Sequence, residues 1–130
     1  SIRAFMDRVL AEARQRGYVE TLLHRRRRIA DLDSRNPSKR AQAARFAVNT
    51  VIQGSAADLI KQAMIQIHRR IQSQALPVRM ILQVHDELVF ELPEAQVRDA
   101  AAWITHDMTG ALPLRVPLKV DIHHGPTWLG

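Results

Sequence analysis

The 130-residue chain contains no cysteine and no long apolar run. Without thiols it can form neither a disulfide framework nor a thiolate zinc site. No stretch approaches the roughly 20 apolar residues that a membrane-spanning helix needs. The first residues, SIRAFMDRVL, are amphipathic and include an acid, which is untypical of a signal peptide. These absences predict a protein of the cytoplasm.

Basic charge is concentrated in one part of the chain. Residues 1–80 hold 16 Lys and Arg against 6 Asp and Glu, whereas residues 81–130 hold 3 against 7. A basic half favours an anionic partner such as a phosphate backbone, although a merely solvated basic surface explains the charge as well. With 46% hydrophobic residues, the chain has enough apolar material for one compact domain, which argues against disorder.

Hydrophobic periodicity predicts an α+β fold with an antiparallel sheet, in the order α-β-β-α-β-β-α-β. The predicted segments are a helix over 2–16 that stops at Gly17, a hairpin over 18–29 with its turn near Leu23 and His24, a helix from a Ser38 cap to about 74, two strands within 78–92, a helix over 94–109 and a strand over 114–122. The predicted apolar face of the long helix consists of Phe46, Ile52, Leu59, Ile60, Met64, Ile67 and Ile71. Gly54 and Ser55 inside this helix indicate a bend or close packing.

The stretch QVHDELVFE places His85, Asp86 and Glu87 between two apolar runs. An ordinary solvated hairpin turn explains this pattern. However, the turn has no Gly, Asn or Pro, and the nearly continuous apolar runs predict strands buried on both faces. Carboxylates held at the tip of such a hairpin suit Mg²⁺, which takes oxygen ligands and shares its shell with substrate phosphates. The tip offers too few ligands alone, so a metal site needs a second carboxylate from elsewhere.

Three hydrogen-bond donors, Arg45, Asn49 and Gln53, recur at a four-residue interval, which places them along one helix face. An exposed polar face explains the pattern without any function. A row of donors also suits the minor groove, where every base pair offers acceptors, so that it can test pairing without reading sequence. Basic residues upstream of this row are placed to reach phosphates; they are Arg35, Lys39 and Arg40.

Three segments together resemble the C-terminal part of a bacterial DNA polymerase I, a family A polymerase. They are QGSAADLIKQAMI (53–65) after Arg45 and Asn49, QVHDELVFE (83–91), and GYVETL (17–22) with its arginine-rich partner strand. The resemblance covers essentially the whole chain, and the two motifs in this order are highly specific. It implies a right-hand polymerase with an antiparallel palm sheet and helical fingers, in which 1–74 is the helical, DNA-contacting part and 75–130 is the palm part.

The resemblance also implies site residues. Asp86 would be a catalytic carboxylate and metal ligand, Glu87 a weaker or more distant one, and His85 a neighbour of the primer terminus. The row of Arg45, Asn49 and Gln53 would contact primer–template DNA in the minor groove, and Arg40, with Lys39, its backbone. The implied cofactor is a pair of Mg²⁺ ions, for which Mn²⁺ can substitute, and the implied partners are primer–template DNA and a dNTP.

Departures from the family pattern predict that this chain is a fragment of a polymerase domain and is inactive alone. The resemblance implies that the parent protein is monomeric and nucleoid-associated. It lacks the family's other catalytic Asp, carried in an Asp-Tyr-Ser-Gln-(Ile)-Glu strand, and the fingers helix that binds the dNTP triphosphate. After GYVETL it has Leu23 and His24 where the family often has an Asp-Gly turn. The alternative is a duplex-binding module without catalysis. A metal-dependent nuclease using His85, Asp86, His123 and His124 is disfavoured, because adjacent residues on a strand point to opposite faces.

Overall fold

The computed structural model describes all 130 residues and divides them into two units, Ser1–Asp58 and Leu59–Gly130. Each unit packs helices against one two-stranded antiparallel hairpin. The mixed helical and antiparallel character confirms the predicted α+β class. No helix combines the length and apolar character needed to cross a bilayer.

The first unit opens with helix α1 (Ile2–Arg16), whose bounds match the prediction. The Ser1 hydroxyl accepts a hydrogen bond from the backbone N–H of Ala4 and thereby caps the free amides of the first turn. Gly17 ends the helix in the left-handed region at φ 80, where a side chain would be strained, and its N–H donates to the Ala13 carbonyl.

Strands β1 (Tyr18–Glu20) and β2 (Arg26–Arg28) form the predicted hairpin, with Tyr18 paired to Arg28 and Glu20 to Arg26. Its connection lacks glycine, and His24 instead adopts the positive φ, at 63. Short hairpin loops commonly need one left-handed residue to turn the chain, which explains this conformation.

Helix α2 (Pro37–Ser73) runs through both units. The predicted length is confirmed, but the predicted Ser38 cap is wrong. The side-chain oxygen of Asn36 accepts the backbone N–H of Ser38 at 2.9 Å, so Asn36 caps the helix and Pro37 occupies its first position. Proline suits that position because its missing N–H is not needed there.

The core of the first unit gathers small and branched residues from α1, β1, the following loop and α2: Val9, Ala13, Val19, Ile29, Leu32, Ala43, Ala47 and Val48. Phe46 and Ile52, predicted for the apolar face, are instead 41% and 53% exposed. Ala43 and Ala47 take the buried face, because their small side chains let the helix pack closely, and Phe46 lies one step round the helix from them.

The second unit packs the later part of α2 against α3 (Val97–Thr109) and the hairpin of β3 (Arg79–Val84) and β4 (Glu87–Glu91). Its buried apolar residues are Ala63, Ile67, Val78, Ala100, Ile104 and Ala111. One buried charge, Asp107, accepts two hydrogen bonds from the Arg70 guanidinium, each 2.7 Å long. This fork-shaped pairing satisfies both carboxylate oxygens, as a buried charge requires.

The prediction that β3 and β4 are buried on both faces is wrong. Leu88 and Phe90 pack towards the core of this unit, whereas Ile81 and Leu82 are 54% and 41% exposed. The pairing is irregular between Met80 and Leu82, so the alternation of side chains is interrupted there. The apolar run therefore predicts the strand correctly, but it does not predict that the residues of the strand are buried.

The predicted strand over 114–122 does not form. Both sheets have only two strands, and none of these residues pairs with either. A β-strand is defined by hydrogen bonds to a neighbour, so an alternating sequence without a paired neighbour remains irregular.

Candidate nucleic-acid interface and carboxylate turn

The predicted row of donors lies on the exposed surface of α2 in the first unit. Arg45, Asn49 and Gln53 are all exposed, and the helix is continuous through them. Four-residue steps on a continuous helix advance by about 6 Å along its axis, so the row is a rigid line of donors roughly 12 Å long. We call Arg45, Asn49 and Gln53 the donor row.

The basic residues that precede the donor row are exposed as well. Lys39 and Arg40 belong to the first turn of α2, and Arg35 lies in the loop before it. Arg40 donates from Nη1 to the Ser34 carbonyl at 3.0 Å, which ties its side chain to this loop. Its guanidinium retains further N–H groups for an external acceptor.

The buried carboxylate of Asp58, which sequence reasoning missed, fastens the β1–β2 hairpin to α2. Asp58 is only 3% exposed. It accepts the Nε–H of Arg25 at 2.8 Å through Oδ1 and the backbone N–H of Leu23 at 3.2 Å through Oδ2. One turn away, the Ser55 hydroxyl accepts the backbone N–H of Leu22 at 3.0 Å. The loop of the hairpin is thus held by side chains of α2.

Gly54 completes this attachment, which confirms the predicted close packing at Gly54 and Ser55. A Cβ atom at Gly54 would lie 2.6 Å from Cγ2 of Thr21, well inside contact distance. The Gly54 carbonyl also accepts from Nη2 of Arg25 at 3.1 Å. The motif QGSAAD therefore serves the hairpin through Gly54, Ser55 and Asp58, while Gln53 is left facing outward.

The pKa of Asp58 is lowered, although the burial of its carboxylate is the largest influence and acts in the opposite direction. Hydrogen bonds from Thr21, Arg25 and Leu23, together with the positive charge of Arg25, outweigh that burial. Asp58 is therefore ionised at neutral pH and keeps its pairing with Arg25.

The four consecutive arginines have different surroundings. Arg25 is occupied by Asp58. Arg26 donates to Glu20 at 3.1 Å and lies over the Tyr18 ring. Arg27 has no carboxylate partner, and its Cζ atom lies 4.4 Å from the centroid of the Phe46 ring on α2. The four arginines are identical in the sequence, but in the structure some are paired with carboxylates and others are not.

In the second unit, the triplet His85, Asp86 and Glu87 lies at the two-residue turn of the β3–β4 hairpin. Val84 pairs with Glu87, and His85 and Asp86 connect them. His85 has a φ of 55, a left-handed backbone that costs a non-glycine residue on the order of 1–3 kcal/mol. Gln83 supports the turn by donating from Nε2 to the His85 carbonyl at 3.1 Å. The backbone thus holds Asp86 at the tip of a tight, sterically costly turn.

The triplet is exposed in full, and its carboxylates fit part of a Mg²⁺ site. Asp86 and Glu87 supply hard oxygen ligands on adjacent residues. No group of three or more His, Asp or Glu side chains in the chain lies close enough to hold a metal ion, so these two carboxylates do not complete a site. His123 and His124 lie exposed in the C-terminal segment, which forms no strand, so the predicted strand geometry does not apply to them.

The predicted residues thus fall into two sets, each confined to one unit. The donor row and its preceding basic residues belong to the first unit, and His85, Asp86 and Glu87 belong to the second. The role of Asp58 was not predicted, although the sequence around it contains an indication of that role. Gly54 and Asp58 are four residues apart, so they share a face, and a carboxylate beside a helix glycine indicates a close, charged partner.

Comparison with known proteins identifies the family. The family model described as DNA polymerase family A matches residues 1–130. The chain is 50% identical over 127 residues to DNA polymerase I of Geobacillus stearothermophilus, covering 98% of this chain and 14% of that protein. It is 46% identical over 128 residues to the thermostable DNA polymerase I of Thermus thermophilus, covering 15% of that protein.

A solved structure is similar throughout the chain. It is the POL domain of Pol1 from M. smegmatis in complex with DNA primer-template and dNTP. The two superpose with a TM-score of 0.91 at 43% sequence identity, covering 98% of this chain and 22% of that one. The chain therefore spans about a seventh of its full-length relatives and belongs to DNA polymerase family A.

Proposed function

We propose that the protein carrying this chain is a DNA-directed DNA polymerase that extends a primer with nucleotides selected by a template. The observation that carries the proposal is the family match over the whole chain, combined with an exposed carboxylate pair on the tight β3–β4 turn. Its substrates are a primer–template duplex and a dNTP, as in the M. smegmatis complex. A polymerase with these substrates works in the cytoplasm, at the nucleoid.

Asp86 is the proposed catalytic carboxylate. Its exposure leaves the side chain open to substrate, and the turn fixes the backbone that carries it. Glu87 begins β4 beside it and acts as a weaker or more distant partner. His85, on the other side, positions the primer end and takes no part in proton transfer.

Divalent Mg²⁺ is the proposed cofactor, with Asp86, and secondarily Glu87, supplying oxygen ligands. When bound there, two such ions would supply Lewis-acid stabilisation of the primer 3′-oxygen and of the leaving pyrophosphate. The chain's two adjacent carboxylates provide one side of that shell. Because Mg²⁺ prefers mixed shells, it would need further oxygen ligands, such as phosphate oxygens, water and another carboxylate, besides these two.

The donor row is the proposed minor-groove reader. Its exposure supports this role, since donors aligned on a rigid helix meet the acceptors that every correct base pair presents. Lys39 and Arg40 contact the phosphate backbone from the first turn of the same helix. Residues 1–74 accordingly form the DNA-contacting part, and residues 75–130 the palm part that carries the carboxylates.

A second function, duplex binding without catalysis, is favoured by one observation. Residues 1–80 carry an excess of ten positive charges, 16 cations against 6 anions, and the donor row is exposed within them. This function requires no metal and no dNTP. It differs from the first in predicting salt-dependent binding with no product.

The test is primer extension by the full-length gene product, with radiolabelled primer, Mg²⁺ and single dNTPs on templates that differ at the first unpaired base. The proposal predicts that only the complementary dNTP is added, and that chelating Mg²⁺ stops the reaction. Salt-sensitive duplex binding without any extension would support the second function. A protein that neither binds the duplex nor extends the primer would reject both functions.

A further inference from the structure

We propose that Arg27 is a phosphate-binding residue that flanks the donor row, with the exposed ring of Phe46 as its platform. The inference rests on the proposed duplex binding by the first unit. It assigns a contact to β2 rather than to α2, and it singles out one arginine among four consecutive ones.

The face that Arg27 occupies is set by the pairing of the hairpin. Arg27 pairs with Val19, which is 5% exposed and belongs to the core shared with α2. Side chains of directly paired residues lie on the same face of a hairpin. The Arg27 side chain therefore leaves β2 on the face turned towards α2, and its guanidinium reaches the Phe46 ring at 4.4 Å.

Phe46 places this guanidinium beside the donor row. Phe46 follows Arg45 directly and lies three residues before Asn49 on the same helix. Phe46 is 41% exposed, so the guanidinium stacked on its ring lies at the surface beside the donor row. Stacking on an aromatic face holds a guanidinium in one plane while leaving its edge N–H groups directed outward. Those N–H groups are what a phosphate oxygen accepts from.

Arg25 and Arg26 are paired with other groups, and Arg28, which pairs with Tyr18, lies on the opposite face of the hairpin from Arg27. The Arg25 guanidinium donates to Asp58 and to the Gly54 carbonyl. Arg26 pairs with Glu20 on the opposite face of the hairpin, and the lowered pKa of Glu20, caused first by a hydrogen bond from His24 and then by Arg26, keeps that carboxylate charged. Arg27 is the one arginine of the four that has no carboxylate partner and is also held against α2, through its stacking on Phe46.

The attachment of the loop makes this placement rigid. Arg25 is tied to Gly54, next to Gln53 at one end of the donor row, and Arg27 is stacked on Phe46, next to Arg45 at its other end. The eight helical steps from Phe46 to Gly54 span about 12 Å of helix. The hairpin therefore runs alongside the donor row. Because phosphate strands border the minor groove on both sides, a cation beside a groove-reading row meets a phosphate.

The test compares Arg27→Gln with Arg26→Gln in the full-length gene product, using a fluorescent primer–template duplex. Both substitutions remove one positive charge from neighbouring positions of one strand, so they change the overall field equally. We expect Arg27→Gln to lower the slope of log affinity against log salt by about 0.9, the loss of one phosphate contact, and to weaken binding several-fold at the lowest salt. Arg26→Gln should leave the slope unchanged.

A second pair tests the platform without altering charge. Phe46→Ala should reduce affinity in the same direction as Arg27→Gln, because the guanidinium loses its fixed plane, whereas Phe46→Tyr should bind like the wild type. Equal slopes for Arg27→Gln and Arg26→Gln, with salt-dependent binding by the wild type, would overturn this inference alone. A wild type that binds no duplex at low salt would reject the proposed duplex binding and this inference together.

Discussion

Arg25 donates from Nε to Oδ1 of Asp58 over 2.8 Å, joining the loop of an exposed hairpin to a carboxylate buried inside α2. The pair links two segments that lie 33 residues apart in the chain. It also explains why QGSAAD, in which we propose that Gln53 contacts DNA, contains residues that face inward. Gly54, Ser55 and Asp58 hold the hairpin, and this leaves the donor row and Arg27 facing outward.

Replacing Asp58 with asparagine should loosen the hairpin. The amide keeps the volume but loses the charge that Arg25 and the Leu23 N–H address, at a cost of about 1–3 kcal/mol for a buried, poorly satisfied group. Amide hydrogen exchange over residues 18–29 should become about 10- to 100-fold faster. Asp33→Asn is the matched control, because Asp33 is exposed and its pairing with Arg14 is long, at 3.8 Å. Equal exchange in both variants would contradict the role of Asp58.

The contribution of Asp58 should depend on pH in a defined direction. Its folded pKa lies below the ordinary value of 3.8, so the ionised form stabilises the fold above that value. The stabilisation is lost as the pH falls from 3.8 through the lower folded pKa. The exchange ratio between Asp58→Asn and wild type should therefore stay constant from neutral pH down to about 5 and shrink towards one below 3.8. A ratio that stays constant to the lowest pH would show that the negative charge of Asp58 does not stabilise the hairpin.

Replacing Gly54 with alanine should destabilise the hairpin despite favouring the helix. Helix propensity alone predicts a gain of about 1 kcal/mol. Overpacking against Cγ2 of Thr21, at 2.6 Å, opposes it by roughly 1–3 kcal/mol, and Thr21 is buried and has little room to move. Gly54→Ala should therefore unfold at a lower temperature than the wild type in a thermal unfolding measurement.

The control for Gly54→Ala is a second substitution that removes the clash. Thr21→Ser deletes Cγ2 but retains the hydroxyl that accepts the Arg25 N–H at 3.1 Å. The double variant should therefore be more stable than Gly54→Ala alone. If Gly54→Ala raises the unfolding temperature by itself, the contact between Thr21 and Gly54 does not limit packing.

Local pattern was sufficient to predict most elements of the fold. The helix ending at Gly17, the hairpin around His24 and the length of α2 each follow from residues within one or two turns of chain, although the cap of α2 is Asn36 and not Ser38. Burial was less predictable. Phe46 and Ile81 are apolar yet exposed, because exposure depends on which neighbouring element covers a residue, and local periodicity carries no such information.

Partners distant in sequence account for what prediction missed in the candidate site. The exposure of the donor row and the turn at His85 and Asp86 follow from spacing and flanking strands. The pairing of Asp58 with Arg25 does not, because four consecutive arginines offer four candidate partners, and only the register of the hairpin selects among them. The same register distinguishes Arg27 from Arg26.

The most direct test of the account compares Asp86→Asn with Glu91→Gln in single-turnover primer extension by the full-length gene product. Both replace an exposed carboxylate by its amide on the β3–β4 hairpin, at its turn and at its far end. We expect Asp86→Asn to lower the extension rate by at least about 1,000-fold, corresponding to roughly 4 kcal/mol of transition-state stabilisation, with duplex affinity nearly unchanged. Glu91→Gln should extend like the wild type. Extension by Asp86→Asn at the rate of Glu91→Gln would contradict the assignment of Asp86 as the catalytic carboxylate.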